Sequence, residues 1–169
     1  MMNTGHILLA DDDSDLALLV QLGFQQAGIL NPVDVVSDGQ EAIGYLSGEG
    51  GYADREAYPL PWLVMLDARL RLVTGLEVLV WLHQQPALSG IRIVMFSSIG
   101  TETDARLAQE VGADCFMVKP FEFQELVGTV KRLEELRLPT GGLITASLDA
   151  ARFDVLRHQP MAHKRAALP

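Results

Sequence analysis

Cysteine is almost absent from the 169-residue chain. Cys115 stands alone, which excludes disulfide frameworks and cysteine zinc sites. No apolar run is long enough to cross a bilayer. The first residues lack the basic start and long apolar stretch of a secretory signal, so the cytoplasm is the expected location. Basic residues are also scarce, with 13 Lys and Arg against 22 Asp and Glu and a net charge of −9. Residues 139–169 hold Arg152, Arg157, Lys164 and Arg165 against Asp149 and Asp154. That segment is therefore +2, which leaves −11 on residues 1–138. So acidic a body repels phosphate backbones, and direct nucleic-acid binding is not expected. No Gly-rich loop follows the first apolar run, which disfavours a nucleotide-binding fold. His6, His83, His158 and His163 show no metal-ligand spacing.

Hydrophobic residues make up 49% of the chain, so the length fits one folded domain with a full core. Short apolar runs alternate with helical patterns. Strands are expected at 6–10, 33–36, 62–66, 91–96 and 115–118. The helix after the first strand takes Asp13 or Ser14 as its cap, and Leu16, Leu19, Leu22 and Phe24 give it an apolar face. Ala42, Ile43 and Leu46 mark a second helix and Leu76, Val78, Leu79 and Leu82 a third, starting near Gly75. The fourth, at 101–111, has only Ala105, Ala108 and Val111 as its stripe and should be the least firmly docked. The fifth carries Phe123, Leu126, Val127, Val130 and Leu133 on one face. Five strands alternating with five helices predict a doubly wound parallel sheet. Residues 47–61, rich in Gly and Pro, read as a polar surface loop that extends the preceding helix. Residues 1–138 form the domain. Residues 139–169 form a tail, with one short amphipathic helix at 143–157 and disorder beyond.

Carboxylates end two of the strands. Ile7-Leu8-Leu9-Ala10 runs into Asp11-Asp12-Asp13, and Leu63-Val64-Met65-Leu66 runs into Asp67. The C-terminal edge of an open parallel sheet is where such folds hold ligands. Clustered carboxylates repel unless a cation neutralises them, and all-oxygen ligation suits Mg²⁺. Ser97 and Lys119 end two further strands on the same edge, where a hydroxyl and an ammonium can hold phosphoryl oxygens.

On these residues the chain resembles the receiver domain of two-component response regulators, the CheY-like family. The resemblance spans about residues 5–138. It rests on the Asp11-Asp12-Asp13 and Asp67 strand ends, with Gly75 eight residues after Asp67, and on Met95-Phe96-Ser97-Ser98 and Gly112 to Phe121 through Lys119-Pro120. It implies a flavodoxin-like sheet of order 2-1-3-4-5. It further implies Asp67 as phosphoacceptor, with Mg²⁺ held by Asp11, Asp12, Asp67 and the backbone carbonyl of Arg69. Ser97 takes the switch hydroxyl's place, Lys119 is the family's lysine with a cis bond to Pro120, and Phe116 fills the aromatic switch position. Phosphate on Asp67 would draw Ser97 inward, letting Phe116 turn in and changing the face of the fourth helix, fifth strand and fifth helix. The implied partners are a sensor histidine kinase or phosphotransfer protein and a downstream target protein, with a homodimer left open and no membrane. With no helix-turn-helix, cyclase or hydrolase pattern after the receiver, output is expected through protein contact. Arg71 stands where the family commonly has proline. The 47–61 insertion is similar to that of single-domain regulators that partner bacterial phytochrome-type histidine kinases.

Other readings of the same residues are weaker. As an EF-hand loop the Asp11 stretch fails, because Leu16 and Leu22 occupy the glycine and bidentate glutamate positions. Asp13 and Asp15 suit a helix N-terminus. A Mg²⁺-dependent phosphatase with an Asp nucleophile needs an acid two residues on, which Asp13 supplies for Asp11 but Arg69 does not for Asp67. A third alternative is a non-phosphorylated binding module. Phe116 reads equally as core, and Cys115, Trp62 and Trp81 read as packing residues. Since 139–169 hold nothing the site chemistry needs, a chain ended at Leu138 is expected to accept a phosphoryl group from a small donor. Loss of that acceptance in a folded truncation, read by intact mass, contradicts this.

Overall fold

The computed structural model describes residues 5–120 and 122–133. The tail helix expected at 143–157, and the boundary at 138, lie outside them. In order the elements are β1 (Ile7–Ala10), α1 (Ser14–Gln26), β2 (Val33–Val36), α2 (Gly39–Ser47) and β3 (Leu63–Asp67). They continue with α3 (Gly75–His83), β4 (Arg92–Ser97), α4 (Glu102–Val111), β5 (Cys115–Val118) and α5 (Phe123–Leu133). The strands pair in parallel in the order β2-β1-β3-β4-β5. The expected five-stranded doubly wound sheet is what forms.

Side chains alternate across the pleat, and both faces are covered. Leu8, Ala10, Val64, Leu66, Ile93, Met95 and Phe116 join the core shared with α2, α3 and α4. Ile7, Leu9, Leu63, Met65, Val94, Phe96, Cys115 and Met117 join the core shared with α1 and α5. β1 and β3 are therefore buried along their whole lengths. That is why their sequences read as unbroken apolar runs that end at a carboxylate. Cys115 belongs to the core as expected, and burial pushes its thiol up to about 12. No helix among the described residues is long and apolar enough to cross a membrane.

Helix ends follow local chemistry. Asp13 caps α1 by accepting from the backbone N–H groups of Asp15 and Leu16. Thr101 and Asp104 form a reciprocal capping box at the start of α4. α4 buries only Ala105 and Ala108, while Leu107 is exposed, in keeping with its thin stripe.

Two expectations are corrected. The Lys119–Pro120 bond is trans, since no cis peptide occurs among the described residues. The two isomers of an X–Pro bond differ by only about 0.5–1 kcal/mol, so the dipeptide alone does not choose between them. The insertion 47–61 is a surface loop as expected, with one short turn of helix at Gly50–Tyr52, but it does not extend α2. α2 stops at Ser47, and the insertion folds back onto it. Tyr45, Tyr52 and Tyr58 pack ring on ring, with centroids 5.0–5.9 Å apart. Arg55 donates to the carbonyls of Tyr45 at 2.7 Å and Leu46 at 2.8 Å, capping α2 from outside the helix. Tyr52 OH donates to Glu41 at 2.5 Å, and Tyr45 OH donates to Asp34 at 2.6 Å. A Gly/Pro count sees a loop here, because three tyrosines far from helical register leave no periodic trace.

Replacing Arg55 removes charge-assisted bonds to the last carbonyls of α2. Arg55→Ala is expected to lower unfolding free energy by about 1–3 kcal/mol in urea titration. An unchanged midpoint shows that the clamp adds nothing to stability.

Candidate functional site

Parallel register brings the four strand ends to one edge of the sheet. Asp11, Asp12 and Asp67 each place a carboxylate oxygen within 4.8 Å of the others, the one group of this kind among the described residues. Asp11 and Asp67 are buried, at 2% and 5% exposure, while Asp12 is exposed. Lys119 reaches in from the end of β5. Its Nζ lies 2.5 Å from Asp11 Oδ2 and 3.2 Å from Asp67 Oδ2. The remaining oxygens of the buried pair turn to the backbone. Asp11 Oδ1 accepts from Asp13 N–H at 2.9 Å and Asp67 Oδ1 from Arg69 N–H at 3.1 Å. Lys119 also stands over the Phe96 ring, 5.7 Å from its centroid.

The charges do not balance. One ammonium faces three carboxylates. Burial raises the Asp11 carboxyl above the ordinary range. Lys119 and the Asp13 amide oppose this, and the nearby Asp67 carboxylate adds to it. Asp11 Oδ2 makes an ion pair with Lys119 but no hydrogen bond of good geometry. A buried carboxylate oxygen left in that state, with two more carboxylates beside it, fits a hard divalent cation. Arg69, whose carbonyl was expected as a further ligand, lies in the loop directly after Asp67.

Ser97 is buried at the end of β4, and Lys119 N–H donates to its carbonyl at 2.7 Å. Its hydroxyl is turned to the following loop, donating to the Ile99 carbonyl at 2.8 Å. Phe116 departs from expectation. The ring is already inside, at 4% exposure, and packs in the core on the α4 side. This placement fits the core reading of Phe116 and leaves no inward turn to make from the position seen here. β5 is the edge strand beside β4, and alternation sends Phe116 to the α4 side just as it sends Cys115 and Met117 to the other face. Ser97 and Phe116 do share the lining of a pocket of about 220 Å³ with Ala68, Arg69, Leu107 and Ala108.

The profile of the response regulator receiver domain matches residues 7–131. The chain belongs to this family. Among curated relatives, the probable methanogenesis regulatory protein FilR2 of Methanothrix harundinacea is 32% identical over 130 residues, 76% of this chain and 81% of that protein. The chain spans about half the length of some other curated relatives, which are transcriptional regulators. The phosphorylated cyanobacterial phytochrome response regulator RcpA superposes with a TM-score of 0.70 at 30% identity, covering 78% of this chain and 92% of RcpA. The Mn²⁺-bound form of response regulator Rcp1 superposes at 0.69 and 29% identity, covering 83% and 99%. The resemblance to phytochrome-type regulators is thus carried by fold and sequence together. Receiver domains bind a divalent metal in an acidic pocket, and Asp11, Asp12 and Asp67 form such a pocket in this receiver.

Sequence reasoning named Gly75 only as part of a motif. Its spacing from Asp67 was the available signal, and the structure supplies the cause. A Cβ at Gly75 would stand 2.1 Å from the Asp67 carbonyl oxygen and 2.9 Å from its carbon. Backbone rests on backbone there, so no side chain can yield. Gly75→Ala is expected to lose about 1–3 kcal/mol of stability from overpacking. A urea midpoint equal to that of the unaltered receiver shows that the contact is not tight.

Proposed function

We propose that the receiver accepts a phosphoryl group on Asp67 from the phosphohistidine of a sensor kinase or phosphotransfer protein. It then signals through protein contact. The observation that supports this most is the convergence of Asp11, Asp12, Asp67 and Lys119 at one buried edge. A divalent cation, Mg²⁺ in this reading, would be held there and would supply positive charge against the pocket's carboxylates and the phosphoryl oxygens. Asp11 and Asp12 hold it with Asp67 and the Arg69 carbonyl. An Asp67 carboxylate oxygen attacks phosphorus, the P–N bond to the donor imidazole breaks, and its electron pair stays on the ring nitrogen. Lys119 gives up its pairing with Asp67 to neutralise a phosphoryl oxygen. Ser97 gives its hydroxyl to another, releasing the Ile99 carbonyl. Hydrolysis of the acyl phosphate later restores the carboxylate.

Release of Ile99 is where the signal starts. The loop it belongs to leads into α4, the helix with the least buried surface. Phe116, already inside, is a fixed floor for that movement and not its lever. The downstream partner meets the face of α4, β5 and α5. The phosphatase alternative loses ground on geometry, because the Asp13 side chain is committed to capping α1. Residues 47–61 then offer a further contact surface, shaped by the tyrosine clamp.

Labelling is expected to require both Asp67 and a divalent ion. At ~4 Å a charge pair is worth ~4 kcal/mol at a near-surface effective dielectric. Chelation therefore slows transfer from a small acyl phosphate by roughly two to three powers of ten, at ~1.4 kcal/mol per power. Asp67→Asn keeps the shape, removes the nucleophile and abolishes the mass shift of one phosphoryl group. Undiminished labelling of that variant, or indifference to chelator, rules the mechanism out.

A further inference from the structure

Arg71 stands at the rim of the acidic pocket with no part in the transfer chemistry. Its Nε lies 3.7 Å from Asp12 Oδ2, and Asp12 is the exposed member of the three carboxylates. The backbone around Arg71 is held in an unusual way. The Arg71 carbonyl accepts from Val73 N–H at 2.7 Å and from Gly39 N–H at 3.2 Å. The first bond closes a three-residue turn around Leu72, whose φ is 63°. Leucine in the left-handed region is strained, and such strain persists only where the surroundings hold it. Gly39 supplies the hold, because a Cβ there would stand 1.8 Å from the Val73 carbonyl oxygen. The strain is not offset by burial of Leu72, which is 77% exposed. What the turn does achieve is to fix the root of the Arg71 side chain beside the carboxylates.

We propose that Arg71 is the resident counter-cation of the metal pocket. It pairs with Asp12 until a divalent ion takes that carboxylate, and so it weakens divalent binding and sets its dependence on salt. The inference rests on the metal reading above. Lys119 serves the two buried carboxylates and leaves Asp12 to another partner. An entering cation must take Asp12 from the guanidinium and then sit near its charge. The displaced side chain is already 70% exposed, so solvent receives it readily. An exposed pair of this kind shifts an equilibrium by roughly 1.4- to 5-fold. Salt screens exposed charges, so the effect fades as ionic strength rises.

The test is Mn²⁺ titration of the full chain, with free ion read by electron paramagnetic resonance and no phosphodonor present. Arg71→Gln is expected to bind Mn²⁺ roughly 1.4- to 5-fold more tightly at low salt, with the gap closing at high salt. Arg71→Lys, which keeps the charge, stays near the unaltered affinity and controls for folding. In an Asp12→Asn background the Arg71→Gln effect disappears. Equal affinity of Arg71→Gln and the unaltered chain overturns the proposal while leaving the metal reading standing. So does tightening that survives Asp12→Asn undiminished. Absence of Mn²⁺ binding by the unaltered chain overturns the metal reading, and this proposal with it.

Discussion

Three carboxylates cannot share one edge of a sheet without something to hold them there, and Lys119 is that holder. Its ammonium contacts both buried acids, and the rest of the pocket is arranged around what one positive charge leaves undone. Backbone amides from Asp13 and Arg69 take the oxygens that Lys119 does not reach. Asp12 turns outward, to water and to Arg71 at the rim. A buried pair of acids is costly when unpaired, so the fold carries an electrostatic tension that a divalent ion relieves. Packing alone makes such a cluster no more stable. The sheet register that creates it belongs with the chemistry performed there.

Much of this was legible in the sequence, for identifiable reasons. β1 and β3 are buried on both faces, so each appears as a run of apolar letters cut off by an acid. Ser97 ends β4 and Lys119 follows β5 in the same manner, which is why the sequence alone aligns all four positions on one edge. The helix caps were legible too, because Asp13 and Thr101 act on residues two or three places away. What escaped depends on distance. Tyr45, Tyr52 and Tyr58 meet only after the chain turns back, and Arg55 finds carbonyls nine and ten residues behind it. The isomer of the Lys119–Pro120 bond is likewise not written in the dipeptide in which it occurs.

The β3–α3 loop gathers several of these threads. It begins at Asp67, passes the strained turn at Leu72 and ends where Gly75 rests on the Asp67 carbonyl. Gly39 pins it from the side, joining the start of α2 to the loop that follows β3. The insertion grips the same helix farther along, through Glu41 and the C-terminal carbonyls. The additions to the receiver fold are thus fastened to the element that also braces the chemistry.

β2 lies at one margin of the sheet, where unpaired backbone groups invite a strand from another molecule. Asp34 sits midway along it, with its carboxylate bonded to His6 and to the fully buried Tyr45. An incoming strand would have to lie against a charge already committed to the interior, beside a helix locked by three rings. Through Tyr45, the ring cluster on α2 is thereby tied to the marginal strand itself.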